Sequence, residues 1–452
     1  MPDANDPGLL TPAETSLLID RYEITMAASY HRLGRNEPAV FELFVRRLPP
    51  HRDWLVVCGL GPTLRLITEM RFGPAEIEYL GTLGCNDDFL RYLEEFRFRG
   101  DIEAMPEGTI AFPDEPLVRV TAPLIDAQLL ETLLLNQINF QTMIATKSAR
   151  VVLAAEGKGD SVIDFSPRRD HGVDAAMKVA RASAVAGLGG TSNMAAAMRY
   201  GLLPVGTMAH SYVLSFETEE EAFEAFMREN PDNALLLVDT YDTLEGVRHA
   251  IEASRRTEIP LTGIRIDSGD LAGLAREARR LLDEAGMNEA VIVASGDLEE
   301  HRIADMCRAG TPIDLWGVGT ELGTSRDSPV VNGVYKLVAE LRDGDWRGVA
   351  KRSEGKATLP GAKQVFRRLE DGTMAGDVVG GADEELDGEK LLVPAMREGE
   401  IAHTENLEEM RERTRRSIAS LPVELRSPGE KPRYPVRHSD ALTEAFRATA
   451  SG

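Results

Sequence analysis

Residues 263–271 read GIRIDSGDL, and residues 234–243, ALLLVDTYDT, follow the same plan. In each stretch a short apolar run ends on an aspartate, and a helical pattern comes next. Continuous apolar runs are typical of buried parallel strands, and the chemistry of a parallel sheet lies just beyond the carboxyl ends of its strands. The two stretches therefore predict parallel strands whose ends, Asp239 and Asp267, belong to one site.

Four further runs between residues 161 and 337 repeat this arrangement, namely SVIDFSPRR, VGTMAHSY, VIVASGD and IDLWGVGT. The intervening helices carry start signals, because Thr218, Asp242 and Asp297 are each followed three residues later by glutamate. This alternation predicts a parallel α/β fold. Polar residues follow successive strands, so we expect an irregular α/β barrel of about seven parallel strands rather than an open sheet with one switch point.

The flanks differ from this central region. They contain helical stretches, short strands such as AVFELFV and PLVRVTA, and two hairpin candidates that turn at RDGD and EDG. We therefore predict two domains. Residues 151–337 form the barrel, and residues 1–150 plus 338–452 form an α+β domain built from both chain ends.

Composition limits the partners and the compartment. The net charge of −23 opposes nucleic-acid binding, yet arginines follow the strand ends, which indicates small anionic ligands. No apolar run reaches the ~18 residues that span a bilayer, and the amino end, MPDANDPGLLTPAETS, lacks the basic start and apolar core of a signal peptide. The three cysteines are far apart in sequence. We expect a cytoplasmic protein that binds neither membrane nor nucleic acid.

The polar residues after the runs suggest several chemistries. His210 could be a general base, a ligand or a nucleophile, and a purely structural histidine is the alternative. Asp267 suits ribose hydroxyls or magnesium, whereas Asp270 is expected only to cap a helix. The Gly-rich stretch WGVGTELGTS (residues 316–325) could cradle a phosphate or form a tight loop without a ligand.

The motifs together resemble the nicotinate phosphoribosyltransferase family. They are LIDRYEITM, DFSPRRDHG, GLGGTSN, GTMAHSY, LLLVDTYDT, GIRIDSGDL, ASGDLEE and LWGVGTELGTS, in this order along essentially the whole chain. The resemblance implies an irregular barrel of the type II phosphoribosyltransferase kind, in a homodimer with shared active sites. The implied reaction joins nicotinate to phosphoribosyl pyrophosphate in NAD salvage, with ATP as co-substrate and Mg²⁺ as cofactor.

The resemblance also implies a role for each site residue. His210 matches a histidine phosphorylated by ATP, and Tyr22 and Phe165 match aromatics that sandwich the pyridine ring, Tyr22 from a second subunit. Arg168 and Arg265 match arginines that lie near the carboxylate and phosphate groups of the substrates, and Arg169 and Lys336 are additional cations. Asp267 matches the carboxylate that binds the ribose hydroxyls, Ser268 is a further substrate-binding residue, and Asp239 matches a second acid close to the site. Gly317, Gly319 and Thr320 match the loop that binds the 5′-phosphate.

One position separates this chain from the related nicotinamide-using enzyme. That enzyme carries an acidic residue where Ser192 stands, and serine can donate to a carboxylate that an aspartate would repel. Ser192 therefore favours nicotinate. The alternatives are a nicotinamide or quinolinate phosphoribosyltransferase, and a noncatalytic barrel that senses nucleotides.

Overall fold

The computed structural model describes residues 9–11, 13–353, 355–426 and 433–448. The first residues of the amino-terminal stretch considered above for a signal peptide lie outside the described residues. The β-strands are β1 (Pro38–Val45), β2 (Leu55–Val56), β3 (Asp101–Ala104), β4 (Ile110–Ala111), β5 (Pro116–Pro123), β6 (Val162–Asp164), β7 (Gly190–Thr191), β8 (Leu235–Leu237), β9 (Gly263–Ile266), β10 (Val291–Ala294), β11 (Leu315–Val318), β12 (Gly333–Arg342), β13 (Asp345–Gly348), β14 (Lys363–Glu370), β15 (Thr373–Gly381), β16 (Glu389–Lys390), β17 (Val393–Arg397), β18 (Glu400–Ile401) and β19 (Val436–His438).

The α-helices are α1 (Arg21–Arg32), α2 (Leu60–Glu69), α3 (Pro74–Thr82), α4 (Asp87–Glu94), α5 (Leu124–Gln128), α6 (Glu131–Ala154), α7 (Val173–Val185), α8 (Met194–Tyr200), α9 (His210–Val213), α10 (Glu219–Glu229), α11 (Thr243–Thr257), α12 (Leu271–Glu284), α13 (Glu300–Arg308), α14 (Thr320–Gly323), α15 (Leu407–Ala419) and α16 (Asp440–Ala448). Short 3₁₀ helices cover Ala13–Leu17, Gly159–Ser161, Pro231–Asn233 and Val423–Leu425. None of the helices in the described part of the chain is long and apolar enough to cross a membrane.

The chain divides into two compact units. The flanking unit comprises Met1–Thr146 and Val330–Gly452, and the central unit comprises Lys147–Pro329. The central unit is α/β and the flanking unit contains mainly antiparallel sheets, so the mixed α/β class predicted from the sequence is confirmed.

The central unit contains one parallel sheet with the strand order β7-β6-β11-β10-β9-β8. The apolar runs are its strands, and residues such as Leu236, Ile264 and Ile292 are fully buried. Strands covered on both faces have no polar side to present, which explains the continuous apolar sequence. The parallel sheet is confirmed.

The sheet has six strands in the described residues, fewer than the seven or so expected. The run VGTMA forms no strand, and only Pro204 makes an isolated bridge, to Thr191. Pro204 has no N–H for a ladder, and the flexible Gly206 follows it. Pairing runs from β7 at one edge to β8 at the other, and barrel closure stays a proposal.

Helix starts in the central unit follow local sequence chemistry. The side chains of Thr218 and Asp242 accept from the backbone N–H three residues later, as predicted. Asp270 caps α12 in the same way. The prediction for Asp297 is wrong, because Asp297 adopts φ 46° in a turn and Glu299 caps α13 instead.

The flanking unit is built from both chain ends. Its largest sheet is antiparallel, with the order β13-β12-β1-β5-β3-β17-β18. Both predicted hairpins are confirmed, as β12–β13 and β14–β15. Asp343 and Gly344 turn the first with φ of 54° and 86°, and Asp371 and Gly372 turn the second with φ of 50° and 77°. Two consecutive positive φ angles are what a tight hairpin turn requires.

Candidate active site

The carboxyl ends of the parallel strands carry the polar residues of the central unit. All six strands run in one direction, so their ends meet at one edge of the sheet. The residues that follow β6, β11, β10, β9 and β8 at this edge include Phe165, Gly319, Ser295, Asp267 and Asp239.

Two aspartates and two serines connect three neighbouring strand ends. Asp239 Oδ2 accepts hydrogen bonds from the backbone N–H of Asp267 (3.0 Å) and from Ser268 Oγ (2.6 Å). Asp267 Oδ1 accepts from Ser295 Oγ. The other Asp239 oxygen, Oδ1, is buried and has no hydrogen-bond partner among the described residues. The structure therefore brings Asp239, Asp267 and Ser268 together and leaves one carboxylate oxygen available.

Sequence reasoning missed the role of Ser295. The ASGD segment ends a strand, and no task could be assigned to it from the sequence, although its SGD triplet repeats the triplet that begins at Ser268. In the structure Ser295 holds Asp267, and a Cβ on Gly296 would lie 1.9 Å from the Asp267 carbonyl oxygen. The repeated triplet was the signal, but only the β9–β10 pairing shows what it contacts.

Arg265 places a partly buried cation at this edge. Its Nη2 donates to the Met208 carbonyl (3.0 Å), and its guanidinium carbon lies 6.0 Å from the centre of the Phe165 ring. Burial lowers the pKa of Arg265, the Asp267 and Asp239 carboxylates oppose this shift, and the nearby Arg168 adds to it. Arg265 Nε is buried without a hydrogen-bond partner in the described part of the chain. A desolvated guanidinium with an unused donor is suited to an anion.

His210 lies beside the aspartate cluster. It is the first residue of α9, and its Nδ1 lies 3.1 Å from Thr240 Oγ1, next in the chain to Asp239. Contact at Nδ1 leaves Nε2 as the ring nitrogen without a hydrogen bond among the described residues. With Nδ1 protonated, Nε2 carries the lone pair that a nucleophile or base needs.

Phe165 packs over the strand end of β11. A Cβ on Gly317 would lie 2.4 Å from the Phe165 ring, so Gly317 makes room for that ring. Gly319 lies under the backbone of Phe165, since a Cβ on Gly319 would lie 3.3 Å from the Phe165 carbonyl oxygen, and Thr320 begins α14. Arg168 and Arg169, in the loop after Phe165, are exposed.

The ends of β6 and β7 are joined by a buried carboxylate that sequence reasoning also left without a role. Asp164 is 1% exposed, and its side-chain oxygens accept from Ser166, in the loop after β6, and from Thr191, the last residue of β7. An aspartate inside an apolar run was the available signal. Ser192, the predicted selectivity residue, donates its backbone N–H to the Asp164 carbonyl (2.8 Å) and is half-buried.

Tyr22 and Lys336 belong to the flanking unit. Tyr22 is 47% exposed, and its pKa is raised by burial of the hydroxyl and then by the charges of Glu131 and Glu23. Lys336 Nζ lies 3.5 Å from Glu131 Oε1 and donates to the Tyr335 carbonyl (2.7 Å). The two predicted residues thus share Glu131 as a neighbour.

A protein-only metal site is not formed by the described residues, since no group of three or more histidine, cysteine or acidic side chains converges there. Asp239 and Asp267 are the acidic pair at the site edge. Two carboxylates are the number that Mg²⁺ commonly takes from a protein when substrate phosphates supply further ligands.

Comparisons with known proteins agree over most of the chain. Residues 17–139 match the nicotinate phosphoribosyltransferase (NAPRTase) N-terminal domain, and residues 161–358 match the nicotinate phosphoribosyltransferase (NAPRTase) family. Nicotinate phosphoribosyltransferase pncB2 of Mycobacterium tuberculosis is 47% identical, over 94% of this chain and 92% of that protein. Nicotinate phosphoribosyltransferase of Bacillus subtilis is 42% identical, over 83% of this chain and 78% of that protein. The crystal structure of human nicotinic acid phosphoribosyltransferase aligns with a TM-score of 0.84 and 26% identity, over 96% of this chain and 100% of that one.

Proposed function

The chain belongs to the nicotinate phosphoribosyltransferase family, and from this we propose that it is an enzyme that converts nicotinate and phosphoribosyl pyrophosphate to nicotinate mononucleotide and pyrophosphate. The product would enter NAD salvage. The observation that carries the proposal is the cluster at the sheet edge. There the Arg265 guanidinium lies 6.0 Å from the Phe165 ring centre, with Asp267 on the same strand end.

Each part of this cluster suits one part of the substrates. The Phe165 ring offers an apolar face for the pyridine ring, and Tyr22 of a second copy is proposed to stack on the opposite face. Arg265, Arg168 and Arg169 supply cations for carboxylate and phosphate groups. Asp267, held by Ser295, presents acceptors for ribose hydroxyls. The phosphate loop is proposed at Gly319 and Thr320, with Gly317 supporting Phe165 and Lys336 as an additional cation.

Asp239 and Asp267 would hold Mg²⁺ together with the diphosphate of the substrate. The buried Asp239 Oδ1, which no described residue contacts by a hydrogen bond, fits this role. When bound, the ion neutralises charge on the departing pyrophosphate. The residues of the chain orient the pyridine nitrogen toward the ribose carbon and exclude water from it.

ATP coupling through His210 is part of the proposal. Nε2 would attack the γ-phosphorus of ATP, forming an N–P bond as ADP leaves, and water would later cleave that bond to release phosphate. The hydrogen bond between Nδ1 and Thr240 (3.1 Å) supports this role, because it orients the ring, and the Thr240 hydroxyl can accept from a protonated Nδ1 so that Nε2 carries the lone pair.

The remaining proposals concern the closure of the sheet, the location of the protein in the cell and its assembly. We propose that the parallel sheet closes into an irregular barrel, that the protein is cytoplasmic, and that two copies form a homodimer with shared sites. Met194 and Met198 are 69% and 86% exposed and lie four residues apart on α8, so they share one apolar face. Exposed apolar faces of this kind commonly mark an interface.

The test is a turnover assay with nicotinate, nicotinamide or quinolinate, each with and without ATP. Nicotinate should be preferred and ATP should stimulate the reaction. His210→Ala should lose the stimulation and keep only weak ATP-independent synthesis, whereas His301→Ala, an exposed histidine on α13, should behave as the unaltered chain does. Preference for nicotinamide would contradict the interpretation of Ser192, and unchanged ATP stimulation in His210→Ala would remove this histidine from the coupling.

A further inference from the structure

Asp164, the last residue of β6, uses every one of its oxygens as a hydrogen-bond acceptor. Oδ1 accepts from Ser166 N (2.9 Å) and Ser166 Oγ (2.6 Å), and Oδ2 accepts from Thr191 Oγ1 (2.8 Å). Its main-chain oxygen accepts from Ser192 N (2.8 Å). One buried residue therefore connects the loop after β6 to the loop after β7.

These loops carry two residues of the proposed nicotinate pocket. Phe165 lies in the chain between Asp164 and Ser166, so the two bonds to Ser166 close a tight turn around it. Ser192 follows Thr191 directly. The distance between Phe165 and Ser192 is thus constrained by two links: the hydrogen bond between the Asp164 and Thr191 side chains, and the pairing of β6 with β7.

Thr191 also connects Asp164 to the start of α8. Its hydroxyl oxygen also accepts from Asn193 N (3.0 Å), and Asn193 caps α8 through Ala196 N (3.1 Å). Ser192 is therefore held on both sides, by Thr191 before it and by Asn193 after it.

The burial of Asp164 makes this connection stiff. Burial raises the pKa of Asp164, whereas its bonds to Ser166 and Thr191 lower it. Its pKa is set by burial and by the bonds to Ser166 and Thr191, and no lysine, arginine or histidine in the described residues contributes to it. A buried carboxylate compensated only by hydrogen bonds holds its donors at short distances, since each lost donor leaves an unsolvated oxygen.

We propose that Asp164 is a positioning residue, acting through Thr191 and Ser166, that sets the spacing between Phe165 and Ser192 and thereby determines the affinity and selectivity for nicotinate. The inference rests on the proposed function. It predicts a defect in binding the pyridine substrate, with the phosphoribosyl side of the site unaffected.

Thr191→Val tests this directly, because valine has the shape of threonine without the hydroxyl. Its KM for nicotinate should rise by about tenfold or more, and its preference for nicotinate over nicotinamide should fall by a similar factor, while the KM for phosphoribosyl pyrophosphate changes less than about twofold. Thr191→Ser keeps the hydroxyl and should restore a KM near that of the unaltered chain.

The matched control is Thr142→Val in the flanking unit. Thr142 is likewise fully buried, and its hydroxyl accepts from Cys58 N (3.1 Å). This variant should lose a similar amount of thermal stability but keep its KM for nicotinate. If Thr191→Val does not fold, Ser166→Ala, which removes the 2.6 Å bond to Asp164 together with the longer 3.1 Å contact of the same hydroxyl with Asp170, should show the same KM effect at reduced size.

The outcomes separate the inference from its premise. An unaltered chain that does not turn over nicotinate would overturn the proposed function. An active chain in which Thr191→Val keeps its KM and selectivity would overturn only the positioning role. Equal KM increases in Thr191→Val and Thr142→Val, or a serine variant as impaired as the valine variant, would also contradict it.

Discussion

Among single residues, Glu23 shows a clear conflict between charge and environment. It is fully buried next to Tyr22, and its Oε2 has no hydrogen-bond partner in the described part of the chain. Burial raises the pKa of Glu23 to about 7; the hydrogen bond from Thr132 opposes this shift, and the charge of Glu131 adds to it. The folded protein therefore binds a proton at Glu23 that the unfolded chain has already released near neutral pH.

This produces a pH-dependent stability. Because the folded pKa is raised, the contribution is complete below about pH 4.5 and is lost as the pH rises through about 7. Glu23→Gln should flatten the dependence of the melting temperature between pH 5 and 8, removing a term on the order of 3 kcal/mol. Glu78→Gln, an exposed glutamate on α3, should leave the dependence as it is. Parallel curves for Glu23→Gln and the unaltered chain would contradict the prediction.

At the scale of elements, the loops after the strands are constrained by backbone contacts as much as by side chains. Gly296 has φ 88°, and its missing Cβ leaves room for the Asp267 carbonyl of the neighbouring strand end. Gly286 has a similar φ of 80°, yet a Cβ there would meet nothing within 4 Å. A side chain at either glycine would therefore strain the left-handed backbone, but only a side chain at Gly296 would also collide with the neighbouring strand end.

Gly296→Ala should therefore displace the end of β9 and the Asp267 carboxylate. We expect the KM for phosphoribosyl pyrophosphate to rise by about tenfold or more. Gly286→Ala should show only the loss of thermal stability that a strained backbone causes. Equal KM values in the two variants would mean that the β9 end tolerates the added methyl group.

Helix starts were predictable where the capping residue directly precedes the helix, as at Thr218 and Asp242. Asp297 has the same local pattern, but it belongs to the turn that brings Gly296 against Asp267. Leu298 after it is buried, so the helix begins beyond it. Tertiary contact outweighed the local signal at this one position.

At the scale of the molecule, the apolar face on α8 tests the proposed dimer. The unaltered chain should elute at twice the mass of one chain in size-exclusion chromatography with light scattering. Met198→Glu should shift it to one chain, because a charge in an apolar interface is left without solvent. Leu369→Glu, at a 50% exposed leucine of the flanking unit, should remain dimeric. A monomeric unaltered chain would contradict the dimer, and a dimeric Met198→Glu would place the interface elsewhere.

The sequence predicted the polar residues that follow the apolar runs, although the run before His210 forms no strand, but it did not predict which strands are neighbours. The apolar runs led to Asp239, Asp267 and His210, and the structure places them in one connected group. The order of the strands in the sheet decides which of these residues contact one another. Ser295 reaches Asp267 because β10 lies beside β9, and Asp164 reaches Thr191 because β6 lies beside β7. Neither contact can be read from local patterns, since order in space differs from order along the chain.

The large antiparallel sheet has a consequence for synthesis. Strand β1 lies between β5, which follows soon after it, and β12, so that Ala39 pairs with Glu340. Until the ribosome has released that distant segment, β1 has an open hydrogen-bonding edge of mainly buried, apolar residues. The whole central unit is translated during this interval. A growing chain of this protein therefore depends on protection of that edge, and a premature stop before β12 would leave a fragment prone to aggregation.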